Sequence, residues 1–204
     1  MTVLACYSVW QDDERLGVSM RSVQPVVDRY VIVDGRYEGF FKDRPVGSTD
    51  HTLEIAHRFP SVKTIPLTEA LRPVQKRNLY LKESADWYLI MDADEILYGD
   101  LKRLRNLLEP KSKVLAYNIP TFLRLSDLAV GKAHTYCRLV HKNAGFHYSR
   151  YHWIRLNSDG KTIEEKAQTL DFVKVLALNE LIPQERQTEK IRWSIYRSNR
   201  GEGW

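Results

Sequence analysis

Cysteine is nearly missing from this 204-residue chain, with Cys6 and Cys137 its only two. Each lies in a strand-like apolar run. That reads as two buried thiols in a reducing compartment and excludes a disulfide framework or a clustered-thiolate zinc site. No apolar run approaches the roughly 20 residues needed to cross a bilayer. The opening M-T-V-L-A-C-Y-S-V-W lacks the basic start and long apolar core of a secretory leader, and reads as a first strand. A cytoplasmic protein without a transmembrane segment is the expectation. There is no internal repeat and no low-complexity segment. Acidic residues are also missing from one window: none falls between Asp127 and Asp159, where Lys132, Arg138, Lys142, Arg150, Arg155 and four of the six histidines stand.

What is present fits one soluble domain, with 43% hydrophobic and 28% charged residues. Residues 1–131 hold 18 Lys or Arg against 18 Asp or Glu, whereas 132–204 hold 13 against 8, the whole of the +5 net charge. A basic region on a chain that also carries an acidic cluster suits an anionic ligand held between them.

The pattern predicts a strand over Val3–Trp10 and a helix from the acidic Gln11-Asp12-Asp13-Glu14 through Val27, kinked or broken at Pro25. A strand over Tyr30–Val33 follows, then a long loop over Arg36–Val46. A helix capped by Ser48 or Thr49 runs to Phe59, and a strand covers Val62–Ile65. A helix from Pro73 to about Ala85 leads to the strand at Trp87, and another covers Gly99–Glu109. Alternating strands and helices argue for a mainly parallel sheet with helices on both faces. Beyond Pro110 the strands Val114–Leu125, Tyr136–His141, Tyr151–Asn157 and Leu170–Leu178 read as antiparallel or mixed, and Gln184–Arg200 as a closing helix. The layout is one domain. Its nucleotide-binding half is 1–110, an acceptor-side half is 111–180, and the closing helix falls in 181–204.

The chain is organised around W-Y-L-I-M-D-A-D-E, Trp87–Glu95. Five apolar residues run into three carboxylates, as in a doubly buried strand with a charged tip. Such a cluster needs a cation, basic neighbours or open water. In extended backbone, residues i and i+2 share a side, so Asp92 and Asp94 would present two carboxylates to one ion. Oxygen-only ligands suit Mg²⁺ or Mn²⁺, and the carboxyl end of a strand is where open α/β sheets place ligands.

Four blocks in order, V-I-V-D-G (31–35), G-S-T-D-H-T-L-E-I-A (47–56), Q-K-R-N-L-Y-L (75–81) and W-Y-L-I-M-D-A-D-E (87–95), resemble the GT-A glycosyltransferases, especially family two and its small relatives. The match covers Thr2–Leu108 and thins afterwards. It implies an α/β fold: a Rossmann-like mixed sheet flanked by helices, the GT-A (nucleotide-diphospho-sugar transferase) type. It implies Trp10 against the donor base, Asp34 reading the base edge and Arg77 near the diphosphate or base. Asp92 would hold the ribose or metal, and Asp94 would be the direct metal ligand. His152 falls where many relatives carry the His of a His-Glu pair. Three differences stand out. A loop is inserted after Asp34-Gly35, Trp153 follows His152 where relatives have Glu, and Asn179 stands where relatives often have histidine.

The implied reaction moves a sugar from a nucleotide-diphosphate donor, a UDP-sugar first, to an acceptor that could be a glycan, a lipid-linked sugar, a protein or a modified nucleic acid. A divalent ion and basic side chains would neutralise the leaving diphosphate, and a carboxylate would take the acceptor's proton, with inversion. Asp127 and Asp159, flanking the acid-free window, are the candidate bases. The alternatives are a nucleotide-sugar-binding module without catalysis and a nucleotidyltransferase. The second would carry a glycine-rich basic loop after the first strand, where this chain has Gln11-Asp12-Asp13-Glu14.

Overall fold

The structure, a computed structural model, describes residues 1–108, 114–149, 154–156, 163, 166–178 and 184–199. The strands are β1 (Val3–Val9), β2 (Arg29–Asp34), β3 (Val62–Pro66), β4 (Trp87–Met91), β5 (Glu95–Gly99), β6 (Ala116–Phe122), β7 (His134–His141), β8 (Phe146–Tyr148), β9 (Ile154–Leu156), β10 (Gln168–Thr169) and β11 (Val173–Ala177). The helices are α1 (Asp13–Val23), α2 (Thr52–His57), α3 (Pro73–Tyr80), α4 (Leu101–Leu107), α5 (Leu125–Ala129) and α6 (Gln184–Asn199).

One mixed sheet runs β3-β2-β1-β4-β7-β6-β11-β5, with β10 beside β6; β8 and β9 form a separate pair. β1, β2, β3 and β4 are parallel. β7 is antiparallel to both β4 and β6, so β6 points the same way as β4. The carboxyl ends of β1, β2, β4 and β6 therefore share one rim. The strand order reverses between β1 and β4, and such a reversal opens a crevice at the carboxyl ends.

Period two divides the core. Val3, Ala5, Tyr7 and Val9 of β1, with Trp87, Leu89 and Met91 of β4, pack on one face with Leu16, Met20 and Val23 of α1 and Leu104 of α4. Leu4 and Cys6, with Tyr88 and Ile90, face the other way, onto Tyr80 of α3 and Tyr148 of β8. Cys6 and Cys137 are buried cysteines outside any disulfide. Among the described residues no helix is long and apolar enough to cross a membrane.

Several expected boundaries move for local reasons. α1 stops at Val23, short of Pro25, which cannot supply an amide to continue it. α2 starts only at Thr52, because Ser48 is spent on Asp34 and caps nothing. α3 ends at Tyr80. Glu95–Gly99 is a strand, β5, paired antiparallel with β11, between the acidic run and the helix expected from Gly99, where no element was expected from the sequence. Lone tertiary pairing makes that strand: its burial alternates, with Glu95 and Leu97 inward. The short α5 was not foreseen.

Gly99 ends β5 with φ +116°, and a Cβ there would lie 2.3 Å from the carbonyl oxygen of Phe172. Both the backbone region and the space require glycine. Gly99→Ala should cost about 2–4 kcal/mol in urea unfolding, through left-handed strain plus loss of the β5–β11 register.

Candidate functional site

At the shared rim, β1 runs out through Trp10 and Gln11, the latter at φ 53°. This sharp exit turns the chain so that Asp12, only 6% exposed, folds back under it. Its Oδ2 accepts the Trp10 amide at 2.9 Å, and its Oδ1 accepts Arg186 at 2.7 Å and Arg15 at 3.4 Å. Burial pushes the Asp12 carboxyl up and nearby Asp94 adds to this, while Arg186, the Trp10 amide and Arg15 pull it down. The sequence had suggested Asp12 only as part of an acidic helix start.

β2 delivers Asp34, which is 1% exposed. Its carboxylate accepts the Ser48 amide at 2.9 Å and the Ser48 hydroxyl at 2.6 Å. The inserted 36–46 loop is thereby closed at its base, and Arg36 donates its amide to Val46. Trp10 is 4% exposed and packs on Phe40 and Phe41, with ring centroids at 5.7 and 5.3 Å. Its buried indole Nε1 has no hydrogen-bond partner among the described residues.

The acidic run differs from its expected geometry. β4 ends at Met91, and 92–94 form a turn rather than an extended pair. The Glu95 amide donates to the Asp92 carbonyl at 3.1 Å, closing the turn. Its carboxylate reaches back to accept the Asp92 amide at 2.9 Å. Glu95 is 4% exposed and ion-paired with Arg138 of β7. Burial pushes its carboxyl up to about 7, against the pull of Arg138. So the third carboxylate of the run holds the turn's shape, and one cation of the acid-free window neutralises it.

Asp92 is half-buried and takes Arg77 Nη2 on Oδ1 at 2.9 Å. Asp94 is also partly exposed, and its carbonyl accepts the Leu178 amide at 2.7 Å, at the end of β11. Among the described residues no group of three or more His, Cys, Asp or Glu is gathered for a metal ion. Two carboxylates on one turn still suit Mg²⁺ or Mn²⁺, which commonly take one or two protein carboxylates and complete their shell with phosphate and water. Asp127 lies on α5, beyond the carboxyl end of β6, at the same rim of the sheet. His152, Asp159 and Asn179 lie outside the described residues.

Lys76 is a residue that sequence reasoning passed over, although it sits in the Q-K-R-N block. It is 1% exposed. Its amine donates to the Val9 carbonyl at 2.7 Å and to the Gly35 carbonyl, tying together the ends of β1 and β2. It also stands 4.8 Å from the ring centroid of Tyr37. Burial pushes the amine down to about 7; Asp34 and Asp12 pull it up, Arg77 adds to the lowering, and Asp92 pulls up again.

The charged lysine is thus disfavoured in the folded chain. Between pH 7 and the ordinary 10.5 the unfolded chain binds the proton and the folded chain does not, so this group's contribution to stability rises with pH. Relative to Lys76→Met, the parent chain should gain on the order of 3 kcal/mol of stability between pH 7 and 10, read from urea unfolding at each pH.

No protein-family profile matches the chain, and no curated protein sequence does. Solved structures do resemble it. The mannosyltransferase PcManGT from Pyrobaculum calidifontis, in complex with GDP-Man and Mn²⁺, aligns over 95% of this chain and 61% of its own, at 13% identity and TM-score 0.58. S. aureus TarS in complex with UDP-GlcNAc aligns over 60% of this chain and 35% of its own, at 21% identity and TM-score 0.45. Glucosyl-3-phosphoglycerate synthase from Mycobacterium tuberculosis, in complex with Mn²⁺, UDP and glucosyl-3-phosphoglycerate, aligns over 62% and 46%, at 18% identity and TM-score 0.42. The chain therefore spans from about a third to three fifths of these proteins. The curled mixed sheet flanked by helices is the GT-A arrangement, the expected fold class.

Proposed function

We propose that this chain is a glycosyltransferase that uses a nucleotide-diphosphate sugar, a UDP-sugar first, with Mn²⁺ or Mg²⁺, and inverts the anomeric centre. The observation that supports it best is the turn at the end of β4. It sets Asp92 and Asp94 at the strand-order reversal, with Arg77 beside them. PcManGT, of the same fold, is described with a nucleotide sugar and Mn²⁺.

In this reading Asp94 and Asp92 hold the divalent ion. When bound, the ion neutralises charge on the departing diphosphate. The Arg77–Asp92 pair is partly exposed, so a donor phosphate can reach it. On donor binding the Arg77 fork turns from carboxylate to phosphate oxygens, a geometry guanidinium matches well. Trp10 and Asp34 line the base region. The Trp10 Nε1 is buried without a hydrogen-bond partner among the described residues, so it meets a nucleotide only when Phe40 and Phe41 move aside. Glu95 and Arg138 keep the turn in shape. Asp127, at the same rim, is the described candidate for the base that takes the acceptor's proton; Asp159 is the other, and His152 would add a metal ligand. The acceptor belongs to the 111–180 half, opposite the nucleotide half at 1–110. Two buried cysteines outside any disulfide fit a cytoplasmic setting.

One observation favours a second reading, a binding module without catalysis: the described residues gather no three-ligand cluster, and Asp92 already holds an arginine. The two separate by assay. UDP or GDP with Mn²⁺, at about 100-fold over Kd, should stabilise the chain by about 2.7 kcal/mol, several degrees in Tm. Asp94→Ala should abolish the shift. Mn²⁺-dependent release of free sugar from a nucleotide sugar marks the enzyme; a thermal shift with no release marks the binder.

A further inference from the structure

The inserted loop holds an aromatic ring in a built setting. Tyr37 is fixed by its hydroxyl, 2.8 Å from Ser8 Oγ at the end of β1. Lys76, held on the strand-end carbonyls, stands against the ring. Arg77 and Asp92 are among the charges acting on the phenol, whose pKa burial raises, so the ring borders the acidic turn. A second aromatic lies flat on it. The Trp193 indole of α6 stacks on Tyr37 with centroids 5.2 Å apart and planes 12° apart.

The helix that carries Trp193 is tied down by polar clasps. Arg186 donates to the Gln11 carbonyl, to the Trp10 carbonyl at 2.8 Å and to Asp12. Glu189 accepts the Phe41 amide at 3.2 Å, Trp193 Nε1 donates to the Glu38 carbonyl at 2.9 Å, and Glu185 pairs with Arg44. None of the α6 side chains described is buried. Besides these clasps, Trp193 packs on Phe40 with ring centroids 5.7 Å apart, and an element whose described side chains are held by polar contacts and one half-buried ring opens more readily than the core. Every one of these clasps lands on residues 10–12, just past β1, or on the 36–46 loop.

A planar bicyclic ring laid on a fixed aromatic, at the strand-order reversal and beside an arginine–carboxylate pair, has the shape and surroundings of a bound nucleobase. We propose that the Tyr37 face covered by Trp193 is the stacking platform for the donor's base, so that nucleotide and α6 compete for one place. This rests on the donor reading above and adds to it a residue for base recognition and a gate over it. The stacking position belongs to Tyr37, whereas Trp10 is enclosed by Phe40 and Phe41.

Competition sets the direction of the variants. A site closed by its own side chain binds with apparent affinity reduced by the closed fraction. In calorimetric titration of the full chain with UDP and with GDP, each with Mn²⁺, Trp193→Ala should tighten Kd at least about tenfold. Arg186→Gln should tighten it in the same direction. Tyr37→Ala should weaken binding about tenfold, while Tyr37→Phe, which keeps the ring, should stay within about threefold of the parent. Nucleotide should also speed amide hydrogen exchange over 184–199 in the parent chain. If the parent binds nucleotide but Trp193→Ala and Arg186→Gln bind no tighter, and exchange over 184–199 does not rise, α6 is a fixed wall and the gate is wrong, with the donor reading intact. Equal binding by Tyr37→Ala and the parent would remove Tyr37 as the platform. If neither the parent nor Trp193→Ala binds any nucleotide, the platform and the donor reading fall together.

Discussion

Negative charge gathered at the carboxyl ends of parallel strands must be neutralised, and most of what surrounds this rim answers that need. Asp12, Asp34, Asp92, Asp94 and Glu95 all stand there, on ends that already carry the partial charge of strand carbonyls. Arg186 and Arg15 meet Asp12, Arg77 meets Asp92, and Arg138 meets Glu95. Ser48 meets Asp34 with two hydrogen bonds, and Lys76 takes the carbonyls of Val9 and Gly35. The partners come from α1, α3, β7, α6 and the loop before α2. Neutralising the rim therefore also draws these elements together around it.

The ion pairs differ in what they can do. Arg138–Glu95 is nearly fully buried, and removing either partner would strand the other charge at high cost. It is scaffolding, and Glu95 spends its other oxygen on the Asp92 amide. Arg77–Asp92 is partly exposed, with side chains 20% and 38% accessible, and against the cost of burying the guanidinium the Asp92 carboxylate raises the Arg77 pKa. One sealed pair sets the turn, and one partly open pair sits where a ligand would reach it. The Arg186 clasp stands between these extremes: it joins a buried carboxylate to a helix whose described side chains are exposed or half-buried.

Much of the nucleotide half was legible along the chain. Short apolar runs with turn residues between them located β1, β2 and β4, because a strand buried on both faces must be apolar throughout; β3, an edge strand with no buried residue, was located by its Val62 and Ile65 alone. Pro73 marked the start of α3, and Pro25 the end of α1. β5 was hidden, because E-I-L-Y-G reads equally as the lead into a helix, and only its pairing with β11 decides. The extended reading of Asp92-Ala93-Asp94 also failed. Glu95, three residues on, closes a turn through a side-chain bond that no spacing rule anticipates.

The sequence by itself determined that an α/β sheet forms and that carboxylates collect at the tip of its central strand. Those follow from hydrophobic period and local order, which are written residue by residue. It could not determine who neutralises each carboxylate, that Lys76 is sealed beneath the strand ends, or that Trp193 lies on Tyr37 from 156 positions away. Those pairings join segments distant in the chain, and only the tertiary fold sets the distances on which Coulombic and stacking interactions depend.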